Sequence, residues 1–130
     1  MGFRQYSSEA STDVPLVTTA ETVVATVSGI SSGSPGVPIR LRAMAQLTTG
    51  TNTTAVTPRV RRDSLTGTVI NEANPVAVGA AAGSTEQFDI DCDDLLSGEV
   101  ANAVYVFTLQ QTAASANGSA LYAYIQADVG

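Results

Sequence analysis

The feature that most limits the folds open to this chain is an alternation of apolar and polar residues with period two. Clusters of Gly, Ser, Pro and Asn interrupt it at intervals of about 10 to 15 residues, the pattern of an all-β sandwich or barrel. The clearest stretch is Ile39 to Leu47. There Ile39, Leu41, Ala43, Ala45 and Leu47 fall on one face and Arg40, Arg42, Met44 and Gln46 on the other. A second sharp apolar face, Leu121, Ala123, Ile125, Ala127 and Val129, lies in the strand expected over Ala120 to Val129. No helical periodicity persists beyond about eight residues, which disfavours helical bundles and α/β folds.

Six or seven strands are expected. Glu21 to Ser28 is rich in Val and Thr, and the run GISSGSPGVP after it, with three Gly and two Pro, reads as a loop. TTGTNTT turns the chain into Ala55 to Asp63, where Pro58 predicts an edge position. Thr68 to Asn71 and Pro75 to Val78 read as short strands. Gln87 to Cys92 puts Phe88, Ile90 and Cys92 inward and Asp89, Asp91 and Asp93 outward, and Asp93 to Val100 is the one plausible helical turn. Ala103 to Thr112 and Ala120 to Val129 are the last two strands, joined by a TAASANGS loop suited to a hairpin. Residues 1–20, Ser/Thr-rich and without periodicity, read as an extended N-terminal arm that frays or docks, and residues 21–130 as one domain. The fold expected is therefore a small antiparallel β-sandwich or jelly-roll-like barrel with an extended N-terminal arm. Four Tyr, three Phe and no Trp leave its core to Val, Ile, Leu and Ala. So small a sandwich gains from oligomerisation, which adds buried surface and covers edges.

Composition removes most chemistries. The 130 residues contain no His, no Lys and a single cysteine, Cys92. His acid/base catalysis, Schiff bases, Cys/His metal clusters and an intrachain disulfide are all excluded, and no catalytic residue or cofactor is expected. The run DIDCDDLLSGE gives Asp89, Asp91 and Asp93 the 1, 3, 5 spacing of a calcium loop. Asp94 then stands where the loop needs Gly, and Val100 where it needs a bidentate Glu. No metal site is expected. Cys92 follows the inward phase of Phe88 and Ile90 and reads as inert core. Tyr105, Tyr122 and Tyr124 fit cross-strand packing better than a ligand platform.

The net charge of −6 opposes a phosphate-backbone binder, so no nucleic-acid partner is expected. The charge is polarised, because five of the six Arg fall between residues 40 and 62. Arg59, Arg61 and Arg62 suit bidentate pairing with an acidic face on another subunit or on a different protein. The start MGFRQYSSEASTD has one Arg and no apolar run, so neither a signal peptide nor a membrane anchor is expected.

The MGFRQYSS start, TAETVVATVSGIS, TTGTNTTAVTPRVRRDSLTG and the Gln/Ala/Thr-rich end together resemble small β-rich virion proteins of tailed bacteriophages, particularly capsid decoration (cement) proteins. The resemblance implies a non-enzymatic protein made in the host cytoplasm. It would bind the outer surface of the head as a homotrimer and clamp the major capsid protein. On that reading the arm, Gly2 to Thr19, orders on a neighbour through Phe3, Arg4, Tyr6, Val14 and Leu16, and Arg59, Arg61 and Arg62 add charge. The alternatives are a receptor- or glycan-binding module that uses the tyrosines and loops, and another head or tail component.

Overall fold

In a computed structural model of the chain, residues 4–7, 11–32, 38–48, 54–78, 85–95, 100–113 and 118–129 are described. They form ten strands: β1 (Arg4–Ser7), β2 (Ser11–Pro15), β3 (Thr22–Ser32), β4 (Pro38–Thr48), β5 (Thr54–Arg62), β6 (Val69–Glu72), β7 (Val76–Val78), β8 (Thr85–Leu95), β9 (Val100–Gln111) and β10 (Ser119–Val129). All pairings are antiparallel. A front sheet runs β1–β10–β4–β8, with β2 also on β10, and a back sheet runs β3–β9–β5–β6, with β7 also on β5.

The strand count exceeds the expected six or seven because the N-terminal segment supplies β1 and β2, while β6 and β7 interrupt the opposite sheet's edge as expected. Counting β1 with β2 and β6 with β7 leaves eight strands in four nested pairs: β1/β2 with β10, β3 with β9, β4 with β8, and β5 with β6/β7. Successive pairs alternate between the sheets, and β10–β4 and β9–β5 join them. This is a long hairpin rolled on itself, a double-sheet jelly roll.

Alternation fixes the core between the sheets. The front sheet supplies Ile39, Leu41, Ala43, Ala45, Leu47, Ile90, Ala123, Ile125 and Ala127. The back sheet supplies Val24, Val27, Ile30, Val56, Val60, Tyr105, Phe107 and Leu109, and all belong to one buried cluster. Most of the core alanines (Ala43, Ala45, Ala120, Ala123 and Ala127) lie in the front sheet and the largest fully buried side chains, Tyr105 and Phe107, in the back one. Bulk on one layer is matched by space in the other.

Four local expectations change. β9 and β10 do not form a hairpin: each lies in a different sheet, so the chain crosses between the layers there. The run from Gly29 does not end the strand: β3 continues to Ser32 through register shifts against β9, with Gly29 at φ 71° and Asn102 at φ 57° absorbing the irregularity. Ile30, fully buried, anchors that extension. The helical turn expected from Asp93 is strand as far as Leu95, because the β4–β8 ladder runs unbroken to Pro38 and Leu95. Residues 96–99 lie outside the described residues. Pro58 is not on an edge strand, since β5 lies between β9 and β6/β7. Its carbonyl accepts from Ala73 N at 3.1 Å, in the stretch between β6 and β7. The missing N–H thus faces a gap in the ladder, which is the same physical tolerance as an edge.

Residues 11–20 do not stand clear of the domain. Both β1 and β2 pair with β10 of the same chain, and Leu16 is buried in the core. The extended segment docks, and the described part docks on its own sandwich.

Candidate functional site

The strand phase of β5 separates the three arginines. Val56, Pro58 and Val60 point inward, so Arg59 and Arg61 emerge on the outer back face while Arg62 turns into the sandwich at its end. On the back face, the Glu21 carboxylate collects four bonds. Arg61 donates through Nε at 2.6 Å and Nη2 at 2.8 Å, Arg59 through Nη1 at 3.1 Å and Thr108 through Oγ1 at 2.6 Å. Arg59 also donates to Glu72 and to Gln110 Oε1 (2.7 Å), and Arg61 to Gly67 O (2.8 Å). The Arg59, Arg61 and Glu21 side chains are only 17, 18 and 14% exposed. Thr108 and Val106 beneath them are buried although they face outward. Burial raises the Glu21 carboxyl pKa, but the bonds from Arg61 and Thr108 and the charges of Arg61 and Arg59 outweigh it and hold it below its ordinary 4.5.

Arg62 makes a different contact. Its Nε and Nη2 donate to the two oxygens of Asp94 on β8 at 2.9 and 2.6 Å, and the Tyr105 hydroxyl donates to Asp94 Oδ2 at 2.7 Å. Asp94 belongs to the front sheet and the other two to the back, so the triad bolts the layers together at one end of the sandwich. Burial, then the bond to Asp94, pushes the Tyr105 pKa upward. The three arginines therefore meet their carboxylates within the chain.

At the opposite end, side chains of β9 hold the connector between β2 and β3. Gln111 Nε2 donates to Leu16 O (2.8 Å) and Thr18 O (2.7 Å), and Gln110 Nε2 to Thr19 O (3.2 Å). Leu16 N donates to Gly118 O at 2.9 Å. Of the arm residues expected to meet a partner, Leu16 is core, Val14 packs against it, and Arg4 and Tyr6 sit in register with Val129 and Ala127 of β10. Phe3 lies outside the described residues. Glu21, Asp94, Thr108, Gln110 and Gln111 were not singled out by sequence reasoning. Two carry a signal: Asp94 as a charge in the inward phase of Ile90 and Cys92, and Gln111 as a polar side chain in the inward phase of Phe107 and Leu109.

The front face is open. Arg40 and Arg42 on β4 stand in register with Asp93 and Asp91 on β8, and Asp128 on β10 is level with Arg40. Arg42 Nε lies 3.4 Å from Asp91 Oδ1, with those side chains 67 and 69% exposed, so this pair contributes little. Arg40 has no ion pair among the described residues. These side chains line a shallow depression. Beyond it Tyr122, 38% exposed, meets Tyr124 edge-on with ring centroids 6.2 Å apart, while Tyr105 is inside the core. Cys92 is half-buried, and burial, then its aspartate neighbours, raises its thiol pKa to about 12, leaving no thiolate at neutral pH.

No protein-family model and no curated protein matches the chain. Solved structures do. The chain is similar to a structure of infectious bursal disease virus, Gx strain, with a TM-score of 0.57, 9% identity and coverage of 98% of this chain and 32% of that one. T=1 particles derived from the same virus give 0.56 and 10%, covering 96% and 31%. Its VP2 subviral particle gives 0.55 and 11%, covering 98% and 32%. The chain spans about a third of the length of these neighbours, and at such identities the likeness is one of fold.

Proposed function

We propose that the chain is a non-enzymatic structural subunit of a virion, and more narrowly a decoration protein. It binds the outer surface of a tailed-phage head beside the major capsid protein and works as a homotrimer. The observation that carries this reading is the jelly roll itself, which aligns over nearly the whole chain with structures of virus particles. The two faces are consistent with it. The back face closes its charges internally, and the front face presents unspent ones.

The capsid contact is assigned to the N-terminal segment. β1 and β2 form the outer edge of the front sheet, and their free backbone groups offer a place for a strand from a neighbour. Arg4, Tyr6 and Val14 belong to that edge segment, and Phe3 precedes it in the sequence. The test is to add the purified chain to heads of the phage that encodes it, after measuring its mass by light scattering. A particle of 3 × 13.3 kDa, about 40 kDa, that cosediments with heads and labels their outer surface with immunogold is expected. Labelling confined to tails, or none, overturns the decoration role. The exposed Tyr122, edge-on to the half-buried Tyr124, favours one second reading, a glycan-binding module, for which saturable binding on a glycan array lost in Tyr122→Ala is the discriminating result.

A further inference from the structure

The front face has charges arranged in columns, and their order specifies a partner. Asp128 lies on β10, Arg40 and Arg42 on the adjacent β4, and Asp91 and Asp93 on β8 beyond it. The rows are in register without a shift: Arg40 with Asp93 and Arg42 with Asp91. We propose that this face binds the same face of a second copy. The two-fold axis runs parallel to the strands, along the line between β4 and β8.

Such an axis sets β4 of each copy over β8 of the other and keeps every row at its own height. Arg40 then faces Asp93 of the partner subunit, and Arg42 faces Asp91 of the partner subunit. The symmetry repeats both contacts, giving four intermolecular pairs from two rows. Other two-folds fail on charge. An axis along β4 stacks arginine on arginine and Asp128 on Asp93. An axis across the strands keeps β4 over β4 and, centred on the charged rows, sets Arg40 against Arg42. The chosen axis also gives aligned sheet-on-sheet packing, the ordinary geometry for stacked sheets.

The charges are free to be used this way. Arg40 has no ion pair among the described residues, and the Arg42–Asp91 pair is long and mostly hydrated, so little is lost when Arg42 turns to another carboxylate. Arg59 and Arg61 on the opposite face are already saturated by Glu21 and Glu72 and offer no comparable surface. The contact is independent of the virion reading, and it links trimers as readily as single chains.

The experiment is sedimentation equilibrium of the full chain at about 0.1 M and about 1 M salt, between which the screening length falls from roughly 10 to roughly 3 Å. Two charge-reversed variants accompany it: Arg40→Asp/Arg42→Asp and Asp91→Arg/Asp93→Arg. Salt-sensitive pairing of the wild type is expected. Each variant alone should associate roughly 100-fold more weakly, because every contact becomes like-on-like. An equimolar mixture of the two should pair again, since each supplies what the other lacks. The single reversals Arg40→Asp and Asp93→Arg serve the same design if a double variant loses its circular dichroism signature. A wild type that does not pair at low salt, pairing unmoved by salt and reversal, or a mixture that stays unpaired overturns the proposal. No virion is needed for this measurement, so its failure leaves the decoration reading standing.

Discussion

At the scale of single residues, two side chains that break the alternation carry the tertiary information. Arg62 follows Val56, Pro58 and Val60 on the inward phase, and Asp94 follows Ile90 and Cys92, so each strand carries a charge on its inward phase at or next to its last residue. Neither is tolerable alone, and they meet. Replacing Tyr105 by Phe removes one bond to that buried carboxylate and should lower stability by about 2 kcal/mol in urea unfolding. A double-mutant cycle with Asp94→Asn should show the two losses to be strongly non-additive. The Glu21 cluster makes a pH prediction. Its folded pKa is lowered, so its contribution is fully present above the ordinary value near 4.5 and disappears as pH falls through the lower folded value. Glu21→Gln should therefore cost about 3 kcal/mol at neutral pH and progressively less below about pH 4.5, as followed by denaturant melts across pH. The pairing chemistry of these arginines was readable in the sequence, whereas Glu21 was not. It precedes β3 by one residue, and only the folding of the back sheet brings it to partners 38 and 40 residues away.

At the scale of elements, strand existence was legible wherever one face is buried, because period two then has a physical cause. β4, β5, β8, β9 and β10 all match the expected segments to within a few residues at either end. The extension of β3 through Gly29 was hidden, since turn-forming residues also make bulges and the choice between them depends on what Ile30 finds to bury against. The strands within the arm were hidden for a related reason: edge strands need no periodic pattern when one neighbour supplies the hydrogen bonds. The β5–β6 turn depends on Gly67. A Cβ there would stand 1.7 Å from Arg62 O, so Gly67→Ala should cost about 3 kcal/mol and shift the register of β6, visible as lost amide protection in β6 by hydrogen exchange. Removing residues 1–9 takes away β1 but leaves β2, Leu16 and Glu21 in place. That variant should stay cooperatively folded, lose roughly 2 kcal/mol, and no longer cosediment with heads.

At the scale of the whole molecule, the two sheets are finished differently. The back face is neutralised by its own side chains, and the front face keeps its charges in hydrated columns. The fold class followed from periodicity and from the lack of helical stretches, but the strand order did not, because local pattern says nothing about which strand pairs with which. The nested pairing has a kinetic consequence. Only β5 and β6/β7 are neighbours both in sequence and in space, and each further pair encloses the one before it, out to β1/β2 with β10. Chain closure therefore becomes more demanding at every step, and a fold of such high contact order forms slowly, from the Gly67 turn outward. On the ribosome, the segment synthesised first is the last to find its place. Until β10 emerges the N-terminal residues have no strand to join, and during that interval they are open to capture by another chain.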